Sequence, residues 1–307
     1  MSRYLVFDWG GTFLKYALMN DSAEILEQGK VRTPPDEEGS KESLFLIIDE
    51  VIRTIPSDIS GIAVSMPGII DNVIGHCHTA GKLFYLSGCT IGKELRDRYG
   101  YPVSVENDGK CAALAELWKG SLAGCKNAAV VVIGTGIGGG LIIDGRLHRG
   151  THFSAGELSF LCEKPDHFEM DESFWGATGG AVGFVNRAAE AVGADPSDFD
   201  GVKAFEMANS GDERVLAELR RFTDRCAAHF YNLNMVLDLE KIAVGGGISR
   251  QDILHRYLKS SMDHIAEVNA LANINPFIPY PELVKCTFFN EANLIGALYH
   301  FLYEIHE

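Results

Sequence analysis

The chain has 307 residues, 46% of them hydrophobic and 22% charged, an ordinary globular composition with room for one large or two medium domains. Its formal charge of −15 excludes a broad nucleic-acid footprint, which needs clustered Lys and Arg. Nucleotide binding stays open, because backbone N–H groups and one metal suffice for a phosphate. No run approaches the ~20 apolar residues of a membrane helix. Met1-Ser2-Arg3 leads straight into an apolar run with no room for a signal peptide, so a cytoplasmic protein is expected. The seven cysteines are scattered and never spaced C-x-x-C, so they read as small core residues and not as zinc ligands.

Tyr4 to Leu18 reads as strand, tight turn and strand. The apolar run reaches Asp8, breaks at Gly10-Gly11-Thr12 and resumes. Converging N–H groups with Thr12 and Lys15 beside them suit a phosphate, and a carboxylate at the strand end suits Mg2+. The same stretch also reads as a plain hairpin with a buried aspartate. Ser40 to Ile55 has helical periodicity with Ser40 as N-cap. Gly61 to Met66 is a short buried strand ending at Pro67-Gly68. Ile91 to Tyr99 is a helix and Pro102 to Glu106 a strand that stops at Asn107-Asp108, before a helix over Gly109 to Lys119. Polar residues at the C-terminal end of a strand stand where α/β proteins place ligands.

Ala128 to Ile133 is the next strand, followed by Gly134-Thr135-Gly136 and a second run whose Asp144-Gly145 marks a hairpin. The pattern of the first fifteen residues thus repeats, which implies two related domains. Gly134, Gly136 and Gly139 also satisfy G-x-G-x-x-G, but a dinucleotide site needs a helix next, and a β-branched run follows. Glu157, after Ala155-Gly156, reads as either a cleft acid or a solvated loop glutamate. His148 and His152 lack a second ligand at metal spacing. Lys164 to Ser173 reads as a surface excursion. Helices are predicted over Thr178 to Val192, Val202 to Asn209 and Asp212 to Leu237. A strand from Ile242 then enters Gly245-Gly246-Gly247, with a helix from Gln251. Such a connection either brings bare backbone against a nucleoside or is simply tight. A last strand over Val284 to Phe288 and a helix over Glu291 to Glu304 close the chain.

Taken together, these motifs resemble the ROK family of sugar kinases, within the actin/hexokinase/Hsp70 superfamily. Phe7 to Lys15 is similar to its phosphate-1 motif, Val64 to Asp71 to its sugar-side Pro-Gly loop and Val105 to Asp108 to its catalytic stretch. Ile133 to Gly140 is similar to its phosphate-2 motif, Ala155 to Glu157 to the start of its Gly-Glu-x-Gly-His element, and Val244 to Ser249 to its adenosine motif. Asn293 to Ala297 fits its closing helix. The resemblance implies an α/β fold with two ribonuclease-H-like (actin-like ATPase) domains around a central cleft. The expected small domain covers residues 1–115 with the C-terminal helix 291–307, and the larger one 116–290. It implies ATP-dependent phosphorylation of a sugar hydroxyl, the 6-OH of a hexose or β-glucoside, with Asp108 as general base. Asn107 and Glu157 would bind sugar hydroxyls beside Pro67 and Gly68. Gly10, Gly11, Thr12, Gly134, Thr135 and Gly136 would hold the phosphates of ATP, and Gly245, Gly246 and Gly247 the nucleoside. Asp8 would hold Mg2+, directly or through water, and Lys15 either neutralises phosphate or merely projects from its strand. A homodimer is expected, with no nucleic-acid or membrane partner. The alternative is a catalytically silent sugar-binding or sugar-sensing member; regulators in the family carry an N-terminal helix-turn-helix, whereas here the first strand starts near residue 3.

The chain also departs from the pattern. Ser159-Phe160 replaces Gly-His, only Cys162 falls where a cysteine-rich zinc loop should follow, and the family's Asn-Leu is not recognisable in Gly81 to Leu86. Zinc is therefore not expected, and the pocket should be more open or more apolar than a glucokinase's. A zinc-less branch that includes β-glucoside kinases is the nearer likeness.

Overall fold

The computed structural model describes residues 2–34, 39–55, 58–271, 274 and 277–305. Met1 and residues 306 and 307, which belonged to the expectations for the two termini, lie outside the described residues. The chain divides into two units: Met1–Lys119 with Leu147–Ala155 and Asn290–Glu307, and Gly120–Arg146 with Gly156–Phe289.

In the first unit, β1 (Arg3–Trp9), β2 (Phe13–Asn20) and β3 (Ile25–Arg32) form an antiparallel meander. Helix α1 (Lys41–Thr54) begins as expected: the Ser40 side chain accepts from the Ser43 backbone N–H, and Ser43 returns the bond in a capping box. After it come β4 (Gly61–Met66), a two-residue ladder of β5 (Ile70–Asp71) and β6 (His76–Cys77), α2 (Ile91–Tyr99), β7 (Val103–Asn107) and α3 (Asp108–Lys119). The sheet order is β3-β2-β1-β4-β7, with β1, β4 and β7 parallel. The three parallel strands are buried almost throughout, as strands covered on both faces must be. One core gathers Leu5, Phe7, Leu44, Ile48, Ile62, Val64 and Val105. The C-terminal helix (Ala292–Tyr303) packs against this unit, with Phe301 5.4 Å from the Tyr4 ring and Tyr299 5.5 Å from Trp118.

The second unit repeats the design. Strand β8 (Ala128–Ile133) pairs antiparallel with β9 (Ile137–Ile143), and the short strand β10 (Arg146–His148) spans the point where the chain leaves this unit. Asp144 and Gly145 both adopt positive φ, as the two-residue hairpin turn requires. Parallel β11 (Lys241–Gly245) and β12 (Glu282–Lys285) extend the sheet on the other side of β8. Two helical stretches differ from expectation. The helix predicted over Thr178 to Val192 starts three residues later, as α5 (Ala181–Val192), and Gly179-Gly180 separates it from a short helix α4 (Trp175–Thr178) that was not predicted. The last strand runs over Glu282–Lys285, because pairing with Lys241 to Val244 and not its own apolar run fixes its register. Helices α6 (Gly201–Asn209), α7 (Glu213–Leu237) and α8 (Asp252–Val268) complete a separate core around Phe184, Phe205, Phe222 and Phe230. Among the described residues no helix is long and apolar enough to cross a membrane.

Candidate active site

The first glycine turn joins β1 to β2, whose register sets Asp8 opposite Lys15. Gly10 N–H donates to the Phe13 carbonyl at 3.0 Å, while Thr33 binds the Gly10 carbonyl through its hydroxyl (2.7 Å) and the Thr12 carbonyl through its N–H (3.0 Å). The turn's carbonyls are thereby tied back, and Gly11 and Thr12 stay exposed. Asp8 is buried, with 5% of its surface exposed. Its Oδ2 accepts from Lys15 Nζ at 3.0 Å, and its Oδ1 accepts from Asn293 Nδ2 at 3.0 Å and Ser65 Oγ at 3.4 Å. Both oxygens already have protein donors. They fit an outer-sphere contact with Mg2+, through a metal-bound water, better than direct ligation.

The sugar-side loop and the catalytic stretch meet in the same unit. Gly68 has φ +107°, and a Cβ there would lie 2.0 Å from the Thr79 carbonyl oxygen, so only glycine fits. Asn107 Nδ2 donates to the Gly68 carbonyl at 2.8 Å, and Asn107 Oδ1 accepts the Lys110 N–H at 3.0 Å. Asp108 opens α3 half-buried, its Oδ1 accepting the Gly109 N–H at 2.8 Å. Pro67, Gly68, Asn107 and Asp108 therefore form one constellation at the ends of β4 and β7.

Behind it stands a buried ion network that the sequence did not announce. Glu106, fully buried, accepts the Asn107 N–H through Oε1 (2.7 Å) and Arg149 Nε through Oε2 (2.6 Å). Arg149 also donates to Glu304 of the C-terminal tail. His300 lies in the same cluster, its Nε2 3.1 Å from Asn72 Nδ2 and its buried Nδ1 without a partner among the described residues. Burial pushes this imidazole down to about 4, against the opposing pull of Glu106. Glu106, His300 and Glu304 offer ligand atoms within 4.8 Å of one another. The guanidinium of Arg149 already bridges the two carboxylates and offsets one of their two negative charges.

In the second unit, Gly134 N–H donates to the Gly136 carbonyl at 2.9 Å, and the Gly134 carbonyl accepts the Ala181 N–H at 2.8 Å. A Cβ on Gly180 would lie 2.1 Å from the Thr135 carbonyl oxygen. The second glycine turn thus sits on the start of α5, whose first N–H groups and dipole favour an anion. The break at Gly179-Gly180 makes this docking possible. The third glycine run also closes on this turn: Gly246 has φ +92°, and a Cβ there would lie 2.1 Å from the Ile133 carbonyl oxygen. Gly134 to Gly136 and Gly245 to Gly247 are therefore brought together.

Glu157 is half-buried and precedes a helical turn over Leu158–Phe160, and Phe160 is 67% exposed. Past it, Glu163 accepts from Thr178 Oγ1 at 2.5 Å and from His229 Nε2 at 3.0 Å, with Trp175 stacked 4.2 Å from the His229 ring. Burial raises the Glu163 carboxyl, but the bonds from His229 and Thr178 and the charge of Arg225 outweigh it and hold the group below its ordinary range. A carboxylate network thus anchors the stretch after Cys162. His229 lies 66 residues away, so no local spacing could have signalled it.

The profile of the ROK family matches residues 4–303. The chain belongs to the ROK family. The β-glucoside kinase of Listeria monocytogenes is 30% identical to it over 98% of each chain. A ROK family protein of Streptococcus pneumoniae, solved with sucrose, superposes with a TM-score of 0.85 at 29% identity over 98% of each chain. The ROK family glucokinase of Streptomyces griseus, solved with glucose and AMPPNP, is alike in fold, with a TM-score of 0.82 at 21% identity over 97% of this chain and 98% of that one. The two-unit α/β architecture expected of an actin-like ATPase is the fold of this ROK protein.

Proposed function

We propose that this ROK protein is an ATP-dependent kinase that phosphorylates the 6-hydroxyl of a hexose or of a β-glucoside. The observation that carries the reading is the constellation at the ends of β4 and β7. Asn107 is held by Gly68 and Lys110 (2.8 and 3.0 Å), and Asp108 stands next to it at the first turn of α3. A fixed amide and a carboxylate side by side suit a sugar: one orients a hydroxyl and the other takes its proton. The hydroxyl oxygen attacks the γ-phosphorus and the bond to the ADP oxygen breaks, with the proton passing to an Asp108 carboxylate oxygen. In a loose transition state this transfer runs late, so positioning and charge neutralisation carry most of the catalysis.

Gly10 to Thr12, with Lys15, are assigned to the β- and γ-phosphates, Gly134 to Gly136 to the phosphate tail, and Gly245 to Gly247 to the nucleoside. Glu157 is assigned to sugar hydroxyls on its match to the Gly-Glu element. Mg2+ bound with the nucleotide would supply charge neutralisation on its phosphates, and Asp8 would hold it through water. The relation to a β-glucoside kinase and the exposed Phe160 in place of a histidine favour a pocket that admits a sugar joined to a second group. A cytoplasmic homodimer is the assembly this family reading implies.

The test is ATP turnover by the purified protein with glucose, mannose, fructose, N-acetylmannosamine and cellobiose. Phosphorylation of cellobiose or glucose is the expected result. Binding of a sugar with no turnover on any of them would favour the silent, sugar-sensing reading.

A further inference from the structure

The first glycine turn carries a cation that no motif pointed to. A Cβ on Gly11 would lie 2.9 Å from Lys82 Cδ and 3.0 Å from Lys82 Cβ. The lysine stem therefore lies flat against the bare Cα of the turn. The loop that presents it is held firmly. Ala80, Leu83 and Leu86 are fully buried on either side, and the Thr79 carbonyl abuts Gly68. Gly81, at φ +54°, folds against Pro67, whose Cβ would be 3.1 Å from a Cβ there. One short segment thus links the Pro67-Gly68 loop to the Gly10-Gly11 turn and sets a lysine between them.

The two lysines of this turn differ in what they do. Lys15 is engaged with Asp8 at 3.0 Å. Lys82 is exposed and its ammonium has no hydrogen bond or ion pair among the described residues. An unpaired ammonium whose stem lies on a glycine turn with exposed Gly11 and Thr12, in a chain of formal charge −15, is a point charge available to a phosphate.

We propose that Lys82 binds the γ-phosphoryl group of ATP at the Gly10-Gly11-Thr12 turn and stabilises its charge during transfer. The inference rests on the kinase reading above and adds a catalytic residue to it. Glycine at position 11 then has a specific purpose, since its missing Cβ is what lets the lysine reach across the turn. The lysine also stands in Gly81 to Leu86, where the family's Asn-Leu is not recognisable.

Lys82→Met is the informative variant, because methionine keeps an apolar stem over Gly11 and removes only the charge. With a sugar that the wild type phosphorylates, kcat is expected to fall about 10- to 100-fold, with the sugar Kd unchanged. Binding of ATP should weaken several-fold relative to ADP, and Lys82→Arg should restore part of both. Wild-type kcat and an unchanged ATP-to-ADP preference in Lys82→Met would overturn the assignment. Failure of the kinase reading would look different: the wild type would turn over no sugar. In that case the ATP-to-ADP comparison still decides whether Lys82 senses the γ-phosphate.

Discussion

Two carboxylates in the same sheet, Asp8 on β1 and Glu106 on β7, show how one unit uses buried charge in two ways. Each is nearly inaccessible and each has a cation. Asp8 takes Lys15 from the adjacent strand, and that lysine keeps 40% of its side-chain surface in solvent. Glu106 takes Arg149 from far along the chain, only 17% exposed, and shares it with Glu304. An open pair costs little to rearrange and leaves charge within reach of a ligand, whereas a sealed pair fixes backbone. The sealed pair lies directly behind Asn107-Asp108, and the open one beside the glycine turn. The chemistry proposed here asks for that division: a rigid base and an adaptable phosphate seat.

The largest effect is expected at Arg149. Arg149→Met strands Glu106 without its counter-ion and should destabilise the protein by about 3–5 kcal/mol, read by denaturant unfolding; a loss near zero would mean the pair is not sealed. His300 gives the next largest effect. Its folded pKa of about 4 lies below its ordinary 6.5, so between these values the unfolded chain binds a proton that the folded one refuses. Stability is complete above pH 6.5 and falls by up to about 3 kcal/mol as pH drops to 4. His300→Asn should flatten that slope, and an unaltered slope would remove His300 as its source. Lys15→Met sharpens the contrast from the open side. It should cost at most about 1 kcal/mol of stability while raising KM for MgATP several-fold. A large stability loss with unchanged KM would assign Lys15 to structure.

What the sequence revealed and what it hid follow from distance along the chain. The glycine turns, the strand ends at Asp8 and Asn107 and the Ser40 cap are local patterns, and periodicity exposes them. The outer strand β3, largely exposed and polar, has no apolar run to announce it. The partners of Glu106 and Glu163 come from remote segments, 43 and 66 residues away, and no spacing rule reaches them. Lys82 was equally hidden, because only the fold lays its stem on Gly11. The break before α5 was missed for another reason: helical periodicity continues through Gly179-Gly180, and the competing preference, docking on the Gly134 turn, is tertiary.

Asp108 is the residue assigned to take the proton in phosphoryl transfer to a sugar. The most direct measurement pairs single-turnover transfer from ATP with sugar binding, in the wild type and in Asp108→Asn. Loss of transfer by about 10²–10⁴-fold, with sugar affinity within a few-fold of wild type, is the expected result. Transfer at the wild-type rate would contradict it and remove Asp108 from the chemistry.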